Sequence, residues 1–449
     1  MRLIANTPKA MLIYILMGLI LASYSTVRIL NLSQAVQKIK TTADTTSYIR
    51  ISKESIFDTR FLASSRPFIF PLALKIFGDN MERVVWAQGV FSIISWSILA
   101  VSVAYSLHIS FLRLIAFGLI LLLSLYRYII GWDSVMLTES LSLSFMALFI
   151  AGWFWLMNGW RWQKAIFILA VALLWAFCRD TNAWFILMIA LLLLLLFSLH
   201  YTDKKYLILA SAFIVLFFLS NLSADFGGRW DFPFQNVLGR RILPSAQAVD
   251  FFINCGMPVS PALIQLTGEY ANSLDRAFYE DPALEDYRLW LNQSGKLCYV
   301  KWLLSSPLES IKRPLAEFNT LISMQNLQSF LFSKKFSPIL PTRLEALLYP
   351  RQPLILFAIE CGIALVAILT KAWMQNKVWW AVIVLNILVF PHYFIVWHGD
   401  VMGIYRHVLT VSIQFYLGTW LLVLFALDSV LSFKAIQESP INQLFVRRV

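Results

Sequence analysis

The chain has 449 residues, 59% of them hydrophobic and only 14% charged, where a soluble domain carries about 25% charged residues. The shortfall excludes an ordinary water-soluble globule, and the hydrophobicity excludes a disordered chain, which leaves a membrane protein with several spans. The net charge of +12 does not point to nucleic acid, because the polar stretch 223–350 is balanced, with 12 basic and 12 acidic residues; the excess lies around the apolar stretches, where helix ends retain Lys and Arg beside anionic lipid.

Taken in chain order with spans of about 20 residues, ten apolar stretches are predicted to cross the bilayer: 11–30, 86–107, 114–131, 135–157, 165–178, 183–199, 206–222, 353–371, 378–397 and 404–430. The fifth is short and ends at the charged pair Arg179–Asp180. The first has no small-residue cleavage site behind it and reads as a retained anchor. Basic residues occupy every second connection: Arg113, Arg161 with Lys164, Lys204 with Lys205, and Lys371 with Lys377, joined by Arg2 at the start and by Arg447 and Arg448 in the tail. With ten spans all of these share one side, the cytoplasmic one, and so do both termini. The opposite side, periplasmic if the membrane is a bacterial inner membrane, receives 31–85, 128–134, 179–182, 223–350 and 398–403. The predicted fold is an all-α polytopic membrane protein in three parts. They are an N-terminal transmembrane module, 1–222, with a long first external loop, 31–85; an external, mainly helical region, 223–350; and C-terminal transmembrane helices with a tail, 351–449.

Within the first external loop, 45–56 reads as an amphipathic helix, with Tyr48, Ile49, Ile51 and Ile56 apolar, suited to lying along the interface. Segment 320–350, with Lys334, Lys335 and Arg343, is also suited to a membrane surface. Cys178 and Cys361 fall in or beside spans and read as inert core residues. Cys255 and Cys298 share the long external loop, where an oxidising compartment permits a disulfide; spacing alone does not tell whether their Cα atoms come within reach. The chain has no CxxC and no HExxH, so a cysteine or zincin metal site is not expected.

Ionisable residues at the edge of a span are costly and usually face a cavity or a partner. Sorted by side, the external ends carry Asp44, Asp58, Arg66, Asp133, Glu139, Arg179, Asp180, Asp231, Arg240, Arg241, His398, Asp400, Arg406 and His407, while the cytoplasmic ends carry mainly Lys and Arg. Carboxylates, guanidiniums and imidazoles together can move protons and hold phosphate; scattered lysines mostly anchor. Each residue has a plainer role as well. Asp44 suits an N-cap, Glu139 suits a structural pair with Arg179, Arg406 suits a snorkelling helix end, and His398 suits a loop. It is their sidedness that favours external chemistry.

Four features of this arrangement resemble the GT-C superfamily of polytopic glycosyltransferases, especially the branch of protein O-mannosyltransferases and the lipid A aminoarabinose transferase. They are Asp44-x-x-x-Tyr48 followed by Arg66-Pro67-x-x-x-Pro71, then Leu137-Thr-Glu139-Ser140-Leu141, then Arg179, and finally Gly399-Asp400 with Arg406. The resemblance covers most of 1–222 and weakly 353–430, and leaves 223–350 unmatched. It implies transfer of a sugar from a polyprenyl-phosphate carrier to a glycan, lipid or protein acceptor on the external face, by an inverting displacement beside the membrane lipids. In it Asp44 is the general base and Glu139 its catalytic partner. The substrate- and phosphate-binding set is Arg66, Asp133, Arg179, Asp180, Arg240, Arg241, His398, Asp400 and Arg406. Some members use a divalent cation, for which Asp44, Asp133 and Glu139 would supply oxygens; the lack of a dense acidic motif such as DxD argues against an obligatory one. The second acidic residue of the family's first loop is represented only by Asp58, at a looser spacing. The rival classes are an O-antigen ligase or polymerase, which favours arginines and a histidine in the long loop, and a lipid or glycolipid transporter, which favours broken helices and charges near the midplane.

Overall fold

The structure is a computed structural model that describes residues 8–323 and 338–437; Arg2, Lys334, Lys335, Arg447 and Arg448 lie outside them. The described residues are helical throughout, apart from turns and one isolated parallel bridge between Lys40 and Val135. Among the described residues, seven helices are long and apolar enough to cross a membrane: Met11–Val36, Met81–Tyr105, Glu139–Met157, Asp180–Ser198, Lys204–Phe226, Trp379–Gly399 and Leu409–Ser432. Two bent pairs bring the number to nine when each counts as one span. Ser110–Ser124 turns by 53° into Arg127–Ser134, and Thr342–Leu348 turns by 45° into Pro353–Leu369.

The fifth predicted span is the Trp162–Ala176 helix of 15 residues. At about 1.5 Å per residue it falls short of the roughly 30 Å hydrocarbon layer. The fourth predicted span begins at Glu139 rather than 135 because the preceding backbone is committed elsewhere. The Lys40 N–H donates to the Ser134 carbonyl at 2.9 Å, and the Met136 N–H donates to the Lys40 carbonyl at 2.9 Å. This pairing stitches the approach to the Glu139–Met157 helix onto the loop that leads to Asp44.

The amphipathic helix of the first loop spans Ala43–Ser52, and it does not lie free on an interface. Its Tyr48 and Ile51 are buried, and Tyr48 meets Phe70 edge-on at 5.1 Å, so the apolar stripe packs onto the Ile69–Ile76 helix within the protein. Burial drives the Tyr48 hydroxyl up to about 12.

Two hydrophobic cores result. The larger fills the helix bundle. The smaller lies within 234–298, where Phe234, Leu238, Phe252, Trp290 and Cys298 pack together, and it includes the Cys255–Cys298 disulfide, whose Cα atoms are 6.2 Å apart. Of the other cysteines, Cys178 is buried as expected and Cys361 is exposed. The disulfide closes a separation of 43 residues, for which loop entropy gives about 2–4 kcal/mol. A Cys255→Ser/Cys298→Ser variant is expected to lose that much stability, read as earlier proteolysis within 231–305; an unchanged cleavage midpoint would contradict it.

Candidate active site

The candidate residues converge because several elements begin at one place. Glu139 is the first residue of the Glu139–Met157 helix, Arg179 is the N-cap of Asp180–Ser198, and Arg406 lies in the single turn Ile404–His407 just ahead of the last long helix. The two long helices bring the positive ends of their dipoles to the cluster. Asp44 is the second residue of Ala43–Ser52, not its cap; Thr42 occupies the N-cap, and its N–H donates to Thr45 Oγ1 at 2.9 Å. The Asp44 carboxylate is thereby left for other partners.

Those partners are guanidiniums. Arg66 Nη2 donates to Asp44 Oδ1 at 2.5 Å and Arg406 Nη1 to Asp44 Oδ2 at 2.9 Å. Arg406 also reaches the second carboxylate, with its Nε 2.6 Å from Glu139 Oε1, and Arg179 Nη1 donates to the same oxygen at 3.3 Å. The other nitrogen of Arg179, Nη2, donates to His407 Nδ1 at 2.8 Å, and His407 Nε2 lies 3.6 Å from Asp400 Oδ2. One continuous chain thus runs Arg66, Asp44, Arg406, Glu139, Arg179, His407, Asp400. Three guanidiniums contact two carboxylates directly, and the third carboxylate, Asp400, stands behind the imidazole. Glu139 is 1% exposed, yet its Oε2 makes no hydrogen bond: a buried acceptor without a donor, at the centre of the cluster. Asp44 keeps more contact with solvent. Burial works to raise its pKa, but Arg406 and then Arg66 overcome it and hold the carboxyl below its ordinary value.

The other candidates are placed elsewhere. Asp133 is buried against Arg28, with Nη2 of Arg28 at 2.7 Å from Oδ2 and Ser140 Oγ donating to Oδ1 at 2.6 Å; both its oxygens are taken, and it acts as a structural tie among helices. An Arg28→Met variant leaves that carboxylate buried without a counter-charge, and is expected to cost about 3 kcal/mol or more, measured as a drop in melting temperature that Asp133→Asn in the same chain partly reverses. Asp180 turns away to Arg229, whose Nε lies 3.0 Å from Oδ2 and whose Nη1 donates to the Ser64 carbonyl at 3.0 Å. Arg240 donates to the Gly268 carbonyl at 2.5 Å and stacks on Tyr270, while Arg241 donates to the Trp397 carbonyl and lies over the Trp397 ring. Gly239, beside them, allows a close approach: a Cβ there would collide with the Glu269 carbonyl. His398 is held by Tyr299 Oη at 3.2 Å and the Ser310 carbonyl at 3.0 Å. Asp58 caps its own short helix and pairs with the exposed Arg60 at 2.7 Å, which pulls its carboxyl down to about 2.

A comparison with protein-family models finds no match for the chain, and a comparison with curated proteins finds none. The arrangement is therefore read from its own chemistry. Three donor-only guanidiniums around two carboxylates suit an anion with several oxygens, such as phosphate, next to a proton acceptor. The oxygens of Asp44 and Asp133 are engaged by guanidiniums or a hydroxyl, and among the described residues no three His, Cys, Asp or Glu side chains are grouped to hold a metal.

Two residues lie outside the candidate site set drawn from sequence: His407, within the cluster, and Arg28, the structural partner of Asp133. His407 was one of the ionisable residues at the external ends, and its neighbour Arg406 was its best signal. Arg28 lies two residues before the end of the first predicted span, 11–30, where a charge requires a partner, yet it is absent from the ionisable residues assigned to that end.

Proposed function

We propose that the chain is a multi-pass membrane glycosyltransferase of the GT-C kind, taking its sugar from a polyprenyl-phosphate carrier. The observation that carries this is the meeting of Arg66, Arg179 and Arg406 with Asp44 and Glu139 at one end of a helix bundle, where a lipid phosphate and a polar acceptor can arrive together. On this reading that end is external, both termini are cytoplasmic, and Trp162–Ala176 completes a tenth span by tilting little and ending within the protein.

The acceptor hydroxyl attacks the anomeric carbon, the bond from that carbon to the phosphate oxygen breaks, and the hydroxyl proton passes to Asp44. The carrier phosphate leaves with its negative charge met by Arg179 and Arg406, and a single displacement inverts the anomeric centre. Asp44 is a weak base while two guanidiniums hold it. An incoming phosphate competes for Arg66 and Arg406 and so frees the carboxylate as the donor seats. Glu139 Oε2 supplies a further acceptor for the incoming hydroxyl. The ligase reading gains nothing here, because Arg240, Arg241 and His398 are occupied by backbone, aromatic and tyrosine partners.

The test is transfer by purified protein in vesicles from a polyprenyl-phosphate-linked sugar, with release of the polyprenyl phosphate followed by mass spectrometry. Arg179→Ala is expected to raise the donor KM by about 10- to 100-fold, the size of a lost charge-assisted contact; release with no dependence on Arg179 would reject its role. Reporter fusions after 160, 203 and 290 are expected to place 290 opposite the other two, and finding 290 with 203 would overturn the orientation.

A further inference from the structure

The polar chain does not stop at Asp400. Its Oδ1 accepts from Asn236 Nδ2 at 3.0 Å and from the Met402 N–H at 2.9 Å, and Asn236 Oδ1 in turn accepts from the Ala271 N–H at 2.9 Å. Each hydrogen in this series has a fixed owner. A backbone N–H only donates, so Asn236 presents its oxygen to Ala271 and its NH₂ to Asp400. A guanidinium likewise only donates, so His407 Nδ1 must carry a lone pair toward Arg179. The imidazole proton is then on Nε2, facing Asp400.

We propose that Asn236 and Asp400 are positioning residues that keep His407 in its Nε2–H tautomer, so that the imidazole accepts from Arg179 and aims it. This rests on Arg179 as a phosphate ligand, and it makes that ligand depend on the helix Asp231–Val237 of the second core. The charged groups facing His407 are Arg179, Arg406, Asp400 and Asp44. A proton added at Nδ1 would oppose Arg179 directly.

The tautomer logic ranks variants in an order that packing would not. In Asp400→Asn the new amide must turn its oxygen toward Asn236 and Met402, because both donate there. Its NH₂ then faces His407 Nε2 and drives the imidazole proton to Nδ1, against Arg179. Asp400→Ala removes the acceptor facing Nε2 but presents no opposing donor, so Arg179 alone biases the imidazole and the tautomer is held less fully than in wild type. The isosteric variant is therefore expected to be the worse one. Combining it with His407→Asn, whose amide oxygen can accept from Arg179 in place of Nδ1, is expected to recover function.

Two measurements on the full chain in nanodiscs test this. Ring-¹⁵N histidine spectra contain five histidines, and the signal lost in His407→Asn is expected to be a neutral Nε2–H form that becomes Nδ1–H in Asp400→Asn. A wild-type Nδ1–H form, or a tautomer unmoved by Asp400→Asn, overturns the proposal. Decaprenyl phosphate binding is expected to weaken about tenfold in Asp400→Asn, less in Asp400→Ala, and to return in the Asp400→Asn/His407→Asn pair. The reverse order of Asn and Ala also overturns it. Wild-type protein that does not bind this probe defeats the phosphate-binding reading, while the spectra still decide the tautomer.

Discussion

An Arg406→Ala variant is expected to lose transfer and to melt at a clearly lower temperature. Arg406 touches both carboxylates of the cluster, Asp44 at 2.9 Å and Glu139 at 2.6 Å. Without it Glu139, 1% exposed, keeps a single contact of 3.3 Å to Arg179. Removing one partner of a buried pair costs about 3–5 kcal/mol, because the remaining charge stays out of water. Arg406→Lys restores a positive charge but not a planar fork that can bridge two acids, so it is expected to recover part of the stability and little of the transfer. Glu139→Gln added to Arg406→Ala removes the stranded charge, and is expected to raise the melting temperature while transfer stays absent. A melting temperature equal to wild type, together with normal transfer, would remove Arg406 from the site.

The convergence of Asp44, Glu139, Arg179 and Arg406 was legible in the sequence because Glu139, Arg179 and Arg406 each interrupt or border an apolar run, and Asp44 lies in the first external loop on the same predicted side. A charge at a span edge needs a partner, and the partners available were one another. Asp133 shows where that logic fails. It shares the side of Glu139 and lies six positions before it, yet the one-turn segment Gly131–Ser134 points it inward to Arg28, and no count of span edges reveals which way a single turn faces. Asp180 follows Arg179 directly, but one step along a helix start changes direction by about 100°, and it meets Arg229 instead. The same limit hid Asn236: an uncharged side chain in an unmatched region carries no signal until the backbone of Ala271 fixes its amide. Helix existence was set by apolar runs, whereas helix starts were set by long-range pairing, as at Val135 with Lys40.

Asp44→Asn is expected to lower the turnover rate by about 10²- to 10⁴-fold, the usual worth of a general base, while the protein folds as before. Asn keeps the shape and one oxygen for Arg66 or Arg406, and the site end of Ala43–Ser52 is held by Tyr48 and Ile51 rather than by the carboxylate. The pH dependence separates a base from a structural acid. The folded carboxyl is held below its ordinary value, so the stability it contributes is present above the normal carboxylate range and is lost as pH falls through the depressed value. Between pH 5 and 8 this group leaves stability flat. The free enzyme's acid limb, read in kcat/KM, is expected below the ordinary carboxylate range. The limb in kcat is expected at higher pH, because in the donor complex the phosphate has drawn guanidiniums away and the carboxylate is more basic. Rates measured from pH 4 to 8 check both: kcat/KM is expected to stay level down to pH 4 while kcat falls toward the acid end, and Asp44→Asn should erase that fall. Coincident limbs in kcat and kcat/KM would mean that the donor leaves the Asp44 contacts in place, and full turnover by Asp44→Asn would show that the proton goes elsewhere.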